Sequence, residues 1–264
     1  MEHRAKKSLG QNFLKSEIAL KKIIEAGEIK SDDVILEIGP GRGALTKKLL
    51  ACSYQLVAVE KDRELYELLK EKFAEQIKSG TLVLVHGDIL QFSISNFQFS
   101  NYKIIANIPY NITGAILKKF LTEKNQPESM VLMIQHDVAK RILASPRHGG
   151  ISGKESILSI SVKAYGEPKM IMKVEARYFS PKPKVDSAVI AIKNISRQKF
   201  VNLAGQQVVD EEKFWKIVKT GFAHKRKKLS GNLKDICQGS TLTSLGNKRA
   251  EDLTLKDWIN LVKE

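Results

Sequence analysis

The chain of 264 residues carries 44 Lys and Arg against 29 Asp and Glu, a formal net charge of +15 at pH 7. Its composition, 42% hydrophobic and 28% charged, is typical of globular proteins, and no apolar stretch is long enough to cross a bilayer as a helix. A positive excess this large favours a polyanionic partner over a merely solubilising surface, and nucleic acid is the partner that we expect.

Cysteine usage and the N-terminal segment indicate a reducing compartment. Cys52 and Cys237 lie far apart and form no C-x-x-C pair, which excludes a disulfide framework and a zinc ribbon. The basic N-terminal segment is not followed by the apolar core of a secretory signal. We therefore expect a soluble, cytoplasmic protein with no membrane association and no metal site.

Strand-like apolar runs alternate with helical segments in the first half of the chain. The runs cover residues 34–39, 55–60, 81–88, 103–109 and 129–135, and one helical segment covers residues 62–73. Further strands are expected at residues 169–175 and 187–194, whereas residues 155–166 fit either a strand or a helix. Because continuous apolar runs suit strands that are covered on both faces, the pattern predicts an α/β fold with a mostly parallel sheet.

The pattern changes after about Asn194. Residues 196–208 have the irregular spacing of a linker, and the segments that follow carry helical periodicity with little strand signal. We therefore predict an α/β domain over residues 1–200 and a small all-helical C-terminal domain over residues 201–264.

A glycine-rich turn, EIGPGRGAL (residues 37–45), follows the first predicted strand and opens a helix. Gly39, Gly41 and Gly43 let the backbone turn tightly and approach a ligand closely. The spacing also satisfies the dinucleotide-binding fingerprint, so a nicotinamide-dependent oxidoreductase stays open at this point. An ordinary strand-to-helix turn is the alternative without a ligand.

Acidic residues follow at the ends of the next two strands. Glu60 lies about twenty residues after the glycines, where a carboxylate can accept two hydrogen bonds from a ribose diol. Asp88 lies where an adenine amino group could donate to it, although an Asp in this position is often a helix N-cap. Together they predict an adenosine-type cofactor and leave open whether it is NAD or S-adenosylmethionine.

The fourth strand ends in Asn-Ile-Pro-Tyr, residues 107–110. An adenine exocyclic amine is a poor nucleophile, and it attacks a methyl sulfonium only when acceptors hold its N–H groups. The Asn107 side-chain carbonyl and the Ile108 backbone carbonyl can be those acceptors. Pro109 has no competing N–H and keeps Ile108 extended, and Tyr110 offers a face for base stacking. Hydride transfer has no use for this arrangement, so it favours amine methylation over a plain proline turn.

Six motifs in order along the chain resemble the small-subunit ribosomal RNA adenine N6-dimethyltransferase family. They are KKSLGQNFL (6–14), EIGPGRGALT (37–46), VEKD (59–62), GD (87–88), NIPYNI (107–112) and YFSPKPKVDSAV (178–189). The erythromycin-resistance methylases of large-subunit rRNA share the first motifs, but GQNFL and PKPKVDSAV are more similar to the small-subunit group. The resemblance implies a Rossmann-like methyltransferase domain, S-adenosylmethionine as donor, and two adjacent adenines near the 3′ end of the rRNA as targets.

The resemblance also implies which residues form the site. The cofactor-binding residues would be Gln11, Asn12, Leu14, Gly39, Gly41, Glu60, Lys61, Asp88, Ile89 and Asn107. The catalytic group would be Asn107, Ile108, Pro109, Tyr110 and Phe179. Phe179 would stack on the flipped target base opposite Tyr110, presented by a proline-stiffened loop. Considered without those prolines, Phe179 also fits a core aromatic at the start of a strand.

Basic residues near both termini are candidates for RNA contacts. The basic cluster at residues 224–234 contains Lys225, Arg226, Lys227, Lys228 and Lys234, and the N-terminal candidates are Arg4, Lys6 and Lys7. Such runs are often solvated helix faces, but a catalytic domain that acts on structured RNA needs phosphate contacts.

The favoured hypothesis is therefore an rRNA adenine dimethyltransferase. It would act as a monomer on small-subunit rRNA in a pre-30S-type particle, with a role in ribosome biogenesis. Three alternatives remain: a large-subunit methylase of the erythromycin-resistance type, an assembly factor that acts mainly by binding, and a nicotinamide oxidoreductase, against which residues 107–110 argue.

Overall fold

The computed structural model describes residues 4–53, 55–94, 101–146, 151–201, 205–237 and 239–263. The chain divides into two compact units: the first comprises residues 1–139 and 169–195, and the second comprises residues 140–168 and 196–264. The domain boundary predicted at residue 200 is therefore incomplete, because residues 140–168 pack with the C-terminal helices. Among the described residues, no helix is long and apolar enough to cross a membrane.

The first unit is built on a central sheet, which has seven strands within the described residues. These are β2 (Val34–Ile38), β3 (Gln55–Glu60), β4 (Leu82–His86), β5 (Lys103–Asn107), β6 (Ser129–Gln135), β9 (Glu167–Val174) and β11 (Ser187–Lys193). Their order is β4-β3-β2-β5-β6-β11-β9. Strands β2 to β6 are parallel, and β11 pairs antiparallel with β6, with Ser187 opposite Gln135. The mostly parallel sheet expected from the apolar runs is confirmed.

Helices and one short strand pair complete the first unit. The helices are α1 (Glu17–Gly27), α2 (Ala44–Leu49), α3 (Arg63–Lys72), α4 (Ala74–Lys78), α5 (Thr113–Thr122) and α6 (His136–Leu143), which runs across the unit boundary. Strand β1 (Phe13–Leu14) pairs antiparallel with β10 (Phe179–Ser180). Buried apolar side chains of β2, β3, β5 and β6, such as Ile35 and Ile105, form the core with residues of α1.

The second unit is mainly helical. It contains α7 (Ile157–Tyr165), α8 (Glu211–Gly221), α9 (Leu229–Leu233), α10 (Ser240–Leu245) and α11 (Leu255–Lys263), with the short parallel pair β7 (Ala144–Ser145) and β8 (Ile151–Ser152). The ambiguous segment at residues 155–166 is thus a helix, and Ser156 caps it with a capping box to Ser159. Tyr165 explains why this helix joins the C-terminal segment, since its buried ring contacts Phe200 and its hydroxyl accepts a hydrogen bond from Trp215 at 3.0 Å.

Strand order sets where a ligand can bind. From β2 the chain continues to β3 and β4 on one side, whereas β5 and β6 lie on the other side of β2. The helices that follow β2 and β5 therefore leave a crevice between the carboxyl ends of these two adjacent strands. The glycine turn and Asn107 both lie at this crevice.

Candidate active site

A cavity of about 670 Å³ opens at the carboxyl ends of the parallel strands in the first unit. Its volume lies in the range of sites for nucleoside-sized ligands. The predicted site residues that line it are Gln11, Asn12, Leu14, Gly39, Gly41, Glu60, Lys61, Asp88, Ile89, Asn107, Ile108, Pro109 and Tyr110. Strand ends that are remote in the sequence thus meet at one place, as their positions in a parallel sheet require.

Asn107 is held so that its side-chain oxygen can face a ligand. Its Nδ2 donates a hydrogen bond to the Asn12 backbone carbonyl at 3.2 Å, and Asn12 is itself held by a bond to Gly10. Because a carbonyl can only accept, the nitrogen of the amide must face Asn12. The Asn107 oxygen is therefore available to accept from a ligand N–H.

Tyr110 lies in a short 3-10 helix, Tyr110–Ile112, directly after Pro109. Its hydroxyl and the Ser187 hydroxyl are 2.6 Å apart, which fixes the direction of the ring. Burial raises the pKa of Tyr110, so this phenol stays neutral at physiological pH. The residue can offer a ring face but no negative charge.

The glycine turn uses backbone conformations that other residues rarely adopt. Gly41 has φ +60°, and a Cβ there would lie 3.1 Å from the Phe13 ring. The N–H of Gly41 donates to Glu60 Oε2 at 3.0 Å. A side chain at this position would thus strain the backbone and press on the N-terminal segment at the same time.

Two acidic side chains lie at the ends of neighbouring strands. Glu60 is buried and accepts from the backbone N–H groups of Gly41 and Asp62, and burial raises its pKa. Asp88 accepts from Lys61 at 2.8 Å and from the Leu90 N–H at 2.9 Å, and the hydrogen bond from Lys61 is the main reason why its pKa is lowered. Asp88 holds a turn through the Leu90 N–H and not a helix N-terminus, and it lines the cavity as well.

Glu37 lines the cavity and is a residue that the sequence reasoning missed. It is 1% exposed, and its Oε2 has no hydrogen-bond partner among the described residues. Burial raises its pKa to about 8. The signal in the sequence was a single carboxylate inside the otherwise apolar run of β2.

Phe179 does not line the cavity. Its side chain is 2% exposed and packs in the core of the first unit, where its strand pairs with Leu14. The ring is thus buried in the chain without bound RNA, and the stacking role predicted from the family stays a prediction. The alternative, a core aromatic at the start of a strand, describes the observed position. The reason is that strand β10 carries the residue into the β1 pair instead of leaving it on a loop.

The basic candidates differ in their surroundings. Lys6 is ion-paired with Asp62 at 2.7 Å and with Glu64 at 2.9 Å, and the RNA contact predicted for it stays a prediction. Arg4 and Lys7 are exposed. In the basic cluster all five cations are exposed, and among the described residues Lys225, Arg226 and Lys227 form no ion pair. Lys228 donates to the Asn247 side chain at 3.0 Å.

Comparison with known proteins gives one consistent result across the chain. The family model described as ribosomal RNA adenine dimethylase matches residues 2–264. A protein of Dehalococcoides mccartyi (strain CBDB1) named ribosomal RNA small subunit methyltransferase A is 38% identical over 275 residues, covering 99% of this chain and 88% of the relative.

Two solved structures are similar over nearly the whole chain. A dimethyladenosine transferase from Plasmodium falciparum matches with a TM-score of 0.75 at 25% identity, covering 94% of this chain and 95% of that one. The 23S rRNA methyltransferase ErmE matches with a TM-score of 0.75 at 23% identity, covering 95% and 98%, which at this identity shows the fold alone. The predicted fold class, a Rossmann-like methyltransferase domain with a helical C-terminal part, is confirmed.

Proposed function

The chain belongs to the ribosomal RNA adenine dimethylase family, and we propose that it dimethylates the N6 amines of two adjacent adenines near the 3′ end of small-subunit rRNA. The methyl donor in this proposal is S-adenosylmethionine. The observation that carries the proposal is the Asn107 amide in the cavity at the end of β5, whose nitrogen is bound to Asn12 so that its oxygen is left to accept from a ligand.

The residues present fit an adenosine-type donor. Gly39 and Gly41 have a left-handed backbone and put no side chain into the turn, and one buried oxygen of the Glu37 carboxyl has no partner among the described residues and can form a hydrogen bond with a ligand. Glu60 and Asp88 would hold the nucleoside through hydrogen bonds to their carboxyl oxygens. When bound, S-adenosylmethionine supplies an electrophilic methyl group on its sulfonium.

The residues at the end of β5 prepare the target amine. The Asn107 oxygen and the Ile108 carbonyl accept its two N–H groups, which lets the nitrogen lone pair localise. Pro109 contributes no donor there, because its nitrogen carries no hydrogen. After the methyl transfer the amine loses a proton to water, so no general base is required. In the second transfer only one N–H remains, and a single acceptor is enough.

In this proposal the exposed basic residues bind the substrate rRNA. The exposed cations of the basic cluster would contact phosphates of the rRNA, and the particle would be of the pre-30S type. A monomeric state and a cytoplasmic location belong to the same proposal. A protein that acts mainly as an assembly factor would bind such particles without needing an intact acceptor at Asn107.

Methylation of isolated particles tests the proposal. The purified protein is incubated with S-adenosylmethionine and with either small-subunit or large-subunit particles from cells that lack this gene, and dimethyladenosine is mapped in each rRNA. We expect two adjacent modified adenines near the 3′ end of the small-subunit rRNA only. Modification of the large-subunit rRNA alone would support the erythromycin-resistance type, and binding without methylation would support the assembly factor.

A further inference from the structure

Asp62 lies at the start of α3 and joins two parts of the first unit that are far apart in the sequence. Its side chain has no solvent exposure. Oδ1 accepts from the Lys6 ammonium at 2.7 Å, and Oδ2 accepts from the Gln11 amide at 2.8 Å, across 56 and 51 residues of chain. Asp62 also caps α3 through the Glu64 N–H. Since capping needs only that last bond, the two long-range bonds have another purpose.

Lys6, Gln11 and Asp62 form a closed ring of hydrogen bonds. The Gln11 Oε1 accepts from the Lys6 backbone N–H at 2.7 Å, while its Nε2 donates to Asp62. Gln11 thereby uses both ends of its amide. The backbone between Lys6 and Gln11 is held against the end of β3 by this ring.

The ring continues into the cavity on two sides. On one side Gln11 is followed by Asn12, whose carbonyl holds the Asn107 amide. On the other side the Asp62 N–H donates to Glu60 Oε1 at 2.8 Å. A displacement of Asp62 would therefore disturb both the amine acceptor and the donor-site carboxylate.

We propose that Lys6 and Asp62 are positioning residues of the donor site, and that their ion pair keeps Gln11, Asn12 and Glu60 in the geometry that binds S-adenosylmethionine. The inference rests on the proposed function and deepens it. It gives Lys6 a role in donor binding in place of the RNA contact predicted from the sequence. Neither residue acts on the donor directly; both act through their partners.

Donor affinity in the absence of RNA separates this role from an RNA contact. Lys6→Met removes the ammonium and keeps most of the aliphatic stem. We expect it to weaken S-adenosylmethionine binding to the full-length protein about three- to tenfold, the size of a partly exposed charge-assisted bond. The matched control is Lys22→Met, which removes an ion pair of the same 2.7 Å length on α1, away from the cavity. Calorimetry of the control should give the wild-type affinity.

A double-mutant cycle tests whether Lys6 acts through Asp62. Asp62→Asn preserves a good N-cap while removing the charge, so α3 should stay folded. If the pair is one unit, adding Lys6→Met to Asp62→Asn should weaken donor binding little further. With Asp62 intact, Lys6→Arg should keep most of the affinity that Lys6→Met loses. Thermal unfolding of each variant shows whether a change in affinity is only a loss of stability.

Three outcomes would overturn the inference. Wild-type donor affinity in Lys6→Met, together with a flatter salt dependence of rRNA binding, would make Lys6 an RNA contact. Additive losses of affinity in the cycle would mean that the two residues act separately. If the loss of affinity in each variant is explained by its loss of thermal stability, the ring has only a structural role. If the wild-type protein does not bind S-adenosylmethionine, the proposed function fails first.

Discussion

The amide of Asn107 concentrates the proposed chemistry in one side chain. Its nitrogen is occupied by the Asn12 carbonyl, so the orientation of the oxygen is decided by the protein before any substrate arrives. An acceptor oriented in advance needs no reorganisation when the amine becomes more acidic during methyl transfer. A variant without this oxygen should bind the same ligands but transfer the methyl group slowly.

Asn107→Ala should therefore slow methyl transfer about 10²- to 10³-fold while rRNA affinity stays unchanged, because the missing acceptor acts mainly in the transition state. The measurement is tritiated methyl incorporation into small-subunit particles under single-turnover conditions, with rRNA binding assayed in parallel. Asn101→Ala, an exposed change just before β5, is the control. Wild-type rates in Asn107→Ala would leave residues 107–110 as a structural turn.

The raised pKa of Glu37 leads to a separate prediction, on how the stability of the protein depends on pH. Its pKa is about 8 in the folded chain against an ordinary value of 4.5, and burial is the main cause. The folded state thus keeps a proton that the unfolded state has released between these values. This group's contribution to stability is full below about pH 4.5, falls as the pH rises, and is lost above about pH 8.

Glu37→Gln should remove that dependence. At pH 8 and above we expect the variant to have a free energy of unfolding higher than wild type by a few kcal/mol, at about 1.4 kcal/mol per pKa unit. Denaturant unfolding at several pH values between 5 and 9 measures the difference. The exposed Glu75→Gln on α4 serves as the control. Parallel pH curves for wild type and Glu37→Gln would contradict the raised pKa.

At the level of secondary-structure elements, the turn between β2 and α2 is where several parts of the first unit come into contact. Gly41 gives its N–H to Glu60 and leaves room for the Phe13 ring of β1, so strand, turn and N-terminal segment meet at one residue. Arg42 lies over the same ring, at 4.7 Å from its centroid. The shape of the donor cavity therefore depends on a contact between elements.

Gly41→Ala should reduce the free energy of S-adenosylmethionine binding more than it reduces the free energy of unfolding. The control is Gly80→Ala, because Gly80 has a similar left-handed φ of +80° with no atom within 4 Å of the added Cβ. Both variants carry the same backbone strain of about 1–2 kcal/mol, and only Gly41→Ala also presses on the cavity wall. Calorimetry and thermal unfolding of the pair separate the two effects. Equal donor affinity in both variants would mean that the turn tolerates a side chain.

The β1–β10 pair allows a test of Phe179. If the ring acts only in the core, Phe179→Leu should cost about 1 to 3 kcal/mol and preserve turnover, since Leu stays apolar but fills less of the buried space than Phe. Phe179→Tyr should be worse for stability, because the 2% exposed ring has little room for a hydroxyl. Unfolding and single-turnover methylation distinguish the roles. A stable Phe179→Leu with greatly reduced turnover would support base stacking and require the β1–β10 pair to open.

At the level of the whole molecule, charge decides how the protein meets RNA. The net charge of +15 is spread along the chain, but many lysines of the first unit are ion-paired. The cations at residues 225–227 are exposed and form no ion pair within the described residues. Phosphate contacts release counterions, so the cations that bind RNA should set the salt dependence of the affinity.

Neutralising Lys225, Arg226, Lys227 and Lys228 together should weaken rRNA binding and lower the slope of log affinity against log salt by about 0.7 to 0.9 for each phosphate that the variant no longer neutralises. Donor binding should not change. The matched control neutralises four ion-paired lysines of the first unit, Lys21, Lys22, Lys48 and Lys70, and so removes the same charge. Equal slopes in the two variants would mean that net charge, and not the cluster, attracts the RNA.

Local patterns in the sequence predicted most of the strands and part of the cavity lining. Apolar runs predicted the parallel strands, and polar residues at their ends predicted the cavity lining, because strands of a parallel sheet must end at one edge. The bonding needs of an adenine amine singled out Asn107, whereas its hydrogen bond to Asn12 is visible only in the structure. Each of these inferences depends on neighbours in the chain or on periodicity.

Only the tertiary structure decided features that depend on residues far apart in the sequence. The sequence could not show that Lys6 donates a hydrogen bond to Asp62, 56 residues away. Phe179 was placed at the cavity, but pairing with Leu14 buries it. Residues 140–168 joined the second unit because Tyr165 packs on side chains after residue 195. A sequence records which groups are present, while burial and charge pairing depend on which distant groups the fold brings into contact.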